Sequence, residues 1–465
     1  MYTNDISCVK IGDSITPSFI ANRGVKQGCI LSPTLFNIFL SDIQAIVETD
    51  ACDPVQIDKN LSIGCIIWAD DILLMSRTEA GLRGMLSALK DYTEKNGMTI
   101  NTKKTQTIIF NKTGRHIRKQ FYVGNEKLES TRQYKYLGFV VTPSGELTTG
   151  LKDLKNRALR ALAKLKNKMG VAFRRHPLIT MKLFKSLIEP ILLYASDFWG
   201  IMKMPDNNPV ENVFTSFCKQ LLGVQRQASN VGVLLELGRT PLMVLAQKNA
   251  IKNWVRIVSK TKCSGLVQAS YGASVLDGLT WSSSVEKKLS GIGLGEQFLG
   301  GDGRSHLKAL QRMTDIFHQE AFSDIRRDDS RLRTYGLLKL ESGYEKYLSE
   351  ITCVRERTAL TKLRLSNHVL MIEKGRHQKI HRDARFCPFC PGSVEDERHF
   401  LLECVAYRHF RCELLGGVHG ARFSQQAENS NFITLMNDTP SLTSKFICKS
   451  LELRDFLLSK YKIHD

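Results

Sequence analysis

The chain has 465 residues, and 66 Lys and Arg against 46 Asp and Glu give it a net charge of +20 at pH 7. With 42% apolar and 24% charged residues it is composed like a folded protein of two to four domains, which excludes wholesale disorder. No stretch approaches the ~20 apolar residues that span a bilayer, and Asp5, Lys10 and Asp13 stand where a secretory signal needs its apolar core. Twelve scattered Cys are too sparse for a disulfide scaffold, so a soluble, intracellular protein without a membrane partner is expected.

In chain order, the first 145 residues mix apolar runs with turn signals and predict an α+β region. Leu35 to Ile46 has helical spacing, Ile63 to Trp68 and Ile72 to Met75 read as short buried strands, and Ala80 to Asn96 reads as an amphipathic helix ended by Gly97. Thr107 to Phe110 and Tyr136 to Val141 read as further strands. From 146 to 258 the pattern turns helical: Leu151, Leu154, Ala158, Ala161, Leu162, Leu165 and Met169 form one apolar stripe. Leu178 to Tyr194, interrupted by Pro190, and Val210 to Leu222 supply further helices. Between 259 and 305 the chain is rich in Gly and Ser and reads as a flexible connection; no Lys-Ser/Thr follows Gly291, Gly293 and Gly295, so they do not make a phosphate loop. A helical zone from His306 to about Leu370 completes a 259–375 region, and 376–465 is a last, separate one.

The positive charge is concentrated. Residues 101–120 carry Lys103, Lys104, Lys112, Arg115, Arg118 and Lys119 with no acid, and residues 151–185 carry eleven Lys and Arg with one acid, Asp153. Such blocks have no internal partners for salt bridges, which favours contact with nucleic acid over a solvated face.

Two constellations carry chemistry. In the first, Trp68-Ala69-Asp70-Asp71 separates two apolar runs, the pattern of a hairpin with two carboxylates at its tip. Adjacent carboxylates repel, and divalent cations relieve that repulsion; Mg²⁺ prefers such oxygen ligands, and a two-ion site activates a hydroxyl and stabilises a leaving pyrophosphate. An ordinary Asp-Asp turn is the competing reading.

Upstream stand Arg23-Gly24-Val25-Lys26-Gln27-Gly28 through Ser32-Pro33 to Asn37, and downstream come Asn96-Gly97-Met98-Thr99-Ile100-Asn101, Lys103, Lys104 and Tyr134-Lys135-Tyr136-Leu137-Gly138. In this order and at these separations the elements resemble the palm of reverse transcriptases of non-long-terminal-repeat retrotransposons, of the LINE or jockey-like kind. The resemblance continues through Pro190-Ile191-Leu192-Leu193-Tyr194-Ala195-Ser196-Asp197-Phe198-Trp199-Gly200 and Glu236-Leu237-Gly238-Arg239-Thr240-Pro241-Leu242.

It implies a partial palm, an antiparallel sheet plus helices, followed by a helical thumb or connector and a small zinc-binding domain. It also implies RNA-directed DNA polymerisation with an RNA template, a DNA primer or target, dNTPs and Mg²⁺. By the same resemblance Asp70 and Asp71 take the place of the metal-binding pair, and Trp68 stands where the family has Tyr or Phe near the primer end. Gln27 and Gly28 lead the helix under the templating pair and incoming nucleotide, Lys103 or Lys104 faces the triphosphate, and Tyr136, Leu137 and Gly138 resemble the primer grip. The basic helices from 151 onward resemble a thumb gripping an RNA-containing duplex. The family's further metal-binding Asp belongs upstream of Gly24, where Asp5 and Asp13 lie in a different setting. The chain is therefore expected to be the C-terminal part of a longer protein and to be inactive or nearly so alone. A remnant or co-opted nucleic-acid-binding protein is the alternative. Nuclear and cytoplasmic residence follows from the resemblance alone.

The second constellation is Cys387-x2-Cys390-x8-His399-x4-Cys404, three thiolates and an imidazole at the spacing of a structural tetrahedral Zn²⁺ site. Cys412 and His409 are nearby spares. The segment from Arg376 to Cys404 also resembles the zinc-binding region ending many of the same retrotransposon proteins. Its basic frame (Arg376, Lys379, Arg382, Arg385, Arg398, Arg408 and Arg411) suits nucleic-acid contact. This last region is expected to fold only around its ion.

Overall fold

The computed structural model describes residues 5–21, 24–49, 52–57, 59, 61–204, 207–259, 265–276, 280–296, 305–419 and 428–461. Arg23 and the Gly-rich stretch from 297 to Gly303 lie outside them. The chain divides into two compact units. One comprises residues 1–136, 141–146 and 264–277, the other residues 137–140, 147–263 and 278–465. Among the described residues no helix is long and apolar enough to cross a membrane.

In the first unit the strands Cys65–Trp68 and Asp71–Leu74 form an antiparallel hairpin in the register Cys65↔Leu74, Ile66↔Leu73, Ile67↔Ile72 and Trp68↔Asp71. Its base packs on Leu40, Ile43, Val47, Leu89 and Tyr92, so two helices and the hairpin share one core. The expected helix from Leu35 to Ile46 is two helices, Ser32–Phe39 and Ile43–Val47. At the break, the Tyr92 hydroxyl lies 3.1 Å from the Phe39 carbonyl oxygen and 2.6 Å from Asp42 Oδ1, and so supplies a polar partner where helical bonding stops. Glu79–Lys95 is a single helix, capped by the Thr78 hydroxyl, which accepts from Gly81 N–H, with Met85, Leu86 and Leu89 buried. The antiparallel sheet expected here is realised as separate two-stranded ribbons. One of these, Gln106–Thr107 with Glu129–Ser130, is parallel.

The second unit is helical apart from the ribbon Phe386–Cys387 with Cys390–Val394 and isolated pairings. Thr148–Met169 buries Leu151, Leu154, Ala158, Leu162 and Leu165 and packs against Pro209–Leu222, which bears out the predicted stripe. Phe173, Phe184, Phe214 and Phe217 interlock beside it, with the Phe184 and Phe217 rings stacked at 4.0 Å. Pro190 separates Pro177–Leu187 from the short turn Glu189–Leu192.

The Gly- and Ser-rich stretch departs from the expected flexible connection: Gly265–Leu276 and Thr280–Gly291 are helices. Val285 and Leu289 are fully buried, and Trp281 Nε1–H donates to the Phe198 carbonyl at 2.9 Å, so tertiary burial overrides weak local propensity. The expected boundary at 376 falls inside this unit. There Val354–Arg364 packs on Pro440–Tyr461, and the Arg454 guanidinium forms a buried bidentate pair with Glu395.

Candidate active site and metal centre

The hairpin tip is a two-residue turn, Ala69-Asp70, in which Ala69 adopts φ +53°. Two-residue hairpin turns need a positive φ at their first position, which ordinarily selects Gly or Asn. An alanine there stores strain of about 1 kcal/mol or more. The turn presents Asp70 and Asp71 side by side, both exposed, beside Trp68, whose side chain is 65% exposed. At the other end of the hairpin, Glu48 Oε1 accepts from Gly64 N–H at 2.7 Å and Cys65 N–H at 2.5 Å and fixes its base. Tyr136 is half-buried, and burial together with the negative charge of Asp71 pushes its hydroxyl above the usual tyrosine range. The structure therefore brings Tyr136 into the electrostatic reach of Asp71. Among the described residues no third Cys, His, Asp or Glu ligand atom joins Asp70 and Asp71.

Gln27 is exposed, and Gly28, at φ +84°, turns the chain into the helix Ser32–Phe39. The buried Ser32 hydroxyl donates to the Lys26 carbonyl at 2.7 Å and ties the turn to that helix. Lys103 and Lys104 are both exposed in the turn that follows Asn101, whose backbone oxygen accepts from Lys104 N–H. Their ammonium groups are available to solvent.

In the second unit Leu137 and Gly138, at φ +44° and +84°, turn between the strands Tyr134–Tyr136 and Phe139–Val141. Tyr194 Oη–H donates to the Leu137 carbonyl, and Arg157 Nη2–H to the Gly138 carbonyl at 3.0 Å. The Arg157 guanidinium lies over the Tyr194 ring at 5.6 Å, and a Cβ at Gly138 would stand 3.1 Å from the Tyr194 hydroxyl. Both carbonyls of the turn are thus held by side chains whose roles were not foreseen. On the helix Thr148–Met169, Arg157 and Lys166 are engaged internally, the latter with Gln220 and the Phe173 ring, while Lys152, Arg160, Lys164 and Lys168 are exposed.

Cys387, Cys390, His399 and Cys404 converge: their ligand atoms all lie within 4.8 Å of one another. Cys387 and Cys390 face each other across the ribbon, His399 opens the helical turn His399–Glu403, and Cys404 ends it. Asp396 Oδ1 accepts from the backbone N–H groups of Arg398 and His399, which fixes where that turn begins. Sγ of Cys404 is 3.8 Å from that of Cys387 and 3.7 Å from that of Cys390. A tetrahedral ion with metal–sulfur bonds of about 2.3 Å sets its sulfurs about 3.8 Å apart, so the spacing fits.

The imidazole is oriented for the same purpose. His399 Nδ1 is 3.1 Å from Glu403 Oε2, and His399 Nε2 is buried without a hydrogen-bond partner. A carboxylate on one ring nitrogen that frees the other is the usual outer support of a metal-ligating histidine. The Cys387 thiol is pulled down to about 4 by its hydrogen bond with Cys404 against the effect of burial, and His399 is pushed up to about 9 chiefly by Cys387. Glu403, four residues from His399 in sequence, is the functional partner that the spacing alone could have flagged.

The basic frame around this cluster is partly used by the fold. Arg385 donates to the carbonyls of Ile372 and Ile380, Arg411 to those of Leu401 and Cys404, and Arg376 pairs with Glu373 at 2.9 Å. Lys379, Arg382 and Arg408 remain exposed, so the surface open to a polyanion is smaller than the sequence suggested.

Residues 7–141 match the family model for reverse transcriptase (RNA-dependent DNA polymerase). Among curated relatives, the Retrovirus-related Pol polyprotein from type-1 retrotransposable element R2 of Nasonia vitripennis is 29% identical over 134 residues, which is 27% of this chain and 13% of that protein. The corresponding polyprotein of element R2DM of Drosophila melanogaster is 30% identical over 139 residues, 28% of this chain and 13% of that protein. The RNA-directed DNA polymerase from mobile element jockey of Drosophila funebris is 23% identical over 218 residues, 43% of this chain and 22% of that protein. The matches thus span less than a quarter of these relatives' length.

Proposed function

We propose that this chain, whose residues 7–141 belong to the reverse transcriptases of non-long-terminal-repeat retrotransposons, supplies the carboxylate pair and the duplex-holding surface of an RNA-directed DNA polymerase. The observation that carries this reading is the hairpin tip, where a strained Ala69 holds Asp70 and Asp71 exposed and adjacent on a buried base. Their oxygens are the donor type that Mg²⁺ takes, and ions held there supply activation of the primer hydroxyl and neutralisation of the leaving pyrophosphate.

The chain's own groups have distinct parts in this reading. Trp68 flanks the primer end, Gln27 and Gly28 lie under the templating pair, and Lys103 or Lys104 faces the triphosphate. Tyr136, Leu137 and Gly138 support the primer strand. Lys152, Arg160, Lys164 and Lys168 contact the backbone of an RNA–DNA hybrid through phosphate charge, with dNTPs as the small substrates. We also assign a structural Zn²⁺ to Cys387, Cys390, His399 and Cys404, since four protein ligands leave no open position for catalysis.

A two-ion site needs more carboxylate than one hairpin tip carries, and the described residues add none to Asp70 and Asp71. That observation favours a second reading, a protein that holds nucleic acid without polymerising. Detectable primer extension on an RNA template with dNTPs and Mg²⁺ would decide for the first. The 465 residues alone are expected to bind the hybrid and extend it at or below detection. Extension abolished by Asp70→Ala would establish the carboxylate role outright, and extension that survives Asp70→Ala would overturn the assignment.

A further inference from the structure

Within the helical unit, Val354–Arg364 and Pro440–Tyr461 pass each other in opposite directions. Arg355, near the start of the first helix, pairs with Glu452 late in the second, while Arg364 reaches Asn437, just before the second begins. Beside their seam lies a cavity of about 620 Å³, within the size range of small-molecule sites. We propose that this cavity binds an amphipathic monocarboxylate, one carboxylate on an aliphatic body, with its charge at Arg174.

The walls set the body of the ligand. Val354, Ala359 and Leu363 come from successive turns of one helix, and Ile447 and Leu451 from successive turns of the other, so two aliphatic faces converge on the cavity. Val369, 52% exposed, adds to them. No Trp, Tyr or Phe lines the cavity, which leaves a nucleobase nothing to stack on.

Arg174 sets the charge. Gly223, at φ +74°, ends the helix Pro209–Leu222 and makes room for the guanidinium, which a Cβ there would overlap. Arg174 Nη2–H donates to the Thr358 hydroxyl at 2.6 Å, whereas Nε is buried without a hydrogen-bond partner. Among the described residues no carboxylate lies within ion-pair distance of Arg174. Arg357, which donates to the Arg174 carbonyl, adds a second positive charge beside it. Burial accordingly lowers the proton affinity of Arg174, the direction expected of a cation short of a counter-charge.

Two other charges at the lining are already matched: Arg355 pairs with Glu452, and His368 is held by Glu397 at 2.9 Å. Lys362 and Asp455 lie toward the C-terminal ends of the two antiparallel helices, and therefore at opposite ends of the cavity. A guanidinium without a counter-charge beside aliphatic walls selects a singly charged carboxylate on an apolar body. A phosphomonoester would bring two charges and a larger dehydration cost to the same walls.

Cys448 lines the same cavity and reports its occupancy. In the full chain, labelling of Cys448 by N-ethylmaleimide is timed by mass spectrometry with decanoate, with decanol, which has the body without the charge, and with acetate, which has the charge without the body. Saturating decanoate is expected to slow the labelling of Cys448 about 10-fold and to leave exposed Cys8, in the other unit, unchanged; decanol and acetate should protect far less. Arg174→Gln should raise the decanoate concentration needed for protection about 10- to 100-fold, the worth of a hydrogen bond to a charged group. Ala359→Phe, which fills the cavity and leaves Arg174 in place, should remove the protection, each variant being compared with its own rate without ligand. No protection by decanoate, equal protection by decanol, equal slowing at Cys8, or wild-type protection in Arg174→Gln would overturn the proposal. No nucleic acid enters the assay, so its outcome is independent of the reading of Asp70 and Asp71.

Discussion

At Ala69 a side chain occupies a conformation that glycine adopts freely, and the strain sits beside the two carboxylates. Ala69→Val should lower stability by about 1–2 kcal/mol, because a β-branched residue tolerates positive φ poorly, while Ala69→Gly should not lower it; urea unfolding of the two variants measures the difference. At the metal cluster Glu403 orients His399 through Nδ1 and leaves Nε2 free. Glu403→Gln should weaken zinc binding about 10- to 100-fold without abolishing it, whereas Cys387→Ser with Cys390→Ser should abolish it; competition with a chromogenic chelator reads both. The four ligands were legible because their spacing encodes them. The support of the Leu137–Gly138 turn by Tyr194 and Arg157 was not, because nothing in the sequence marks a tyrosine 57 positions away as the partner of a turn carbonyl.

Among the elements, the segment Glu236–Leu242 shows how a motif can be read without its physical reason. Glu236 is fully buried and accepts from Arg364 Nε–H at 2.7 Å, from the Tyr335 hydroxyl at 2.7 Å and from the Tyr347 hydroxyl at 2.5 Å. Arg364 also reaches Glu345 at 2.8 Å and Asn437 Oδ1 at 2.8 Å, so one ion pair ties together five helices. Glu236→Ala would strand a buried guanidinium and should cost about 3–5 kcal/mol, measurable as a large fall in the denaturant midpoint. The long basic helix was legible from the period of its apolar face, and the hairpin from two short apolar runs on either side of Asp70 and Asp71. The helix Thr280–Gly291 was not, because Gly and Ser weaken the local signal and burial of Val285 and Leu289 supplies what propensity lacks. Packing also revises the expectation for the last region. Glu395 pairs with Arg454, and Phe400 stacks edge-on with Phe446, so the segment shares a core with the C-terminal helix. Chelation should therefore expose the amides of residues 386–404 to hydrogen exchange while Val354–Arg364 and Pro440–Tyr461 stay largely protected.

Over the whole molecule the net charge of +20 is unevenly available. Arg157, Arg364, Arg385 and Arg411 serve carbonyls and buried acids, while Lys152, Arg160, Lys164 and Lys168 form an exposed row on a helix whose other face is buried. Composition gave the sign of the partner but could not tell working cations from structural ones, a distinction that only tertiary contacts make. Asp70 and Asp71 are central as a divalent-ion site, and iron-mediated backbone cleavage tests that role directly. In zinc-loaded protein, Fe²⁺ with ascorbate and peroxide should cut the chain around residues 68–73, Mg²⁺ should suppress the cut, and Asp70→Asn with Asp71→Asn should eliminate it. Cleavage there that is unchanged in the double variant, or no cleavage there in the wild-type chain, would contradict the account.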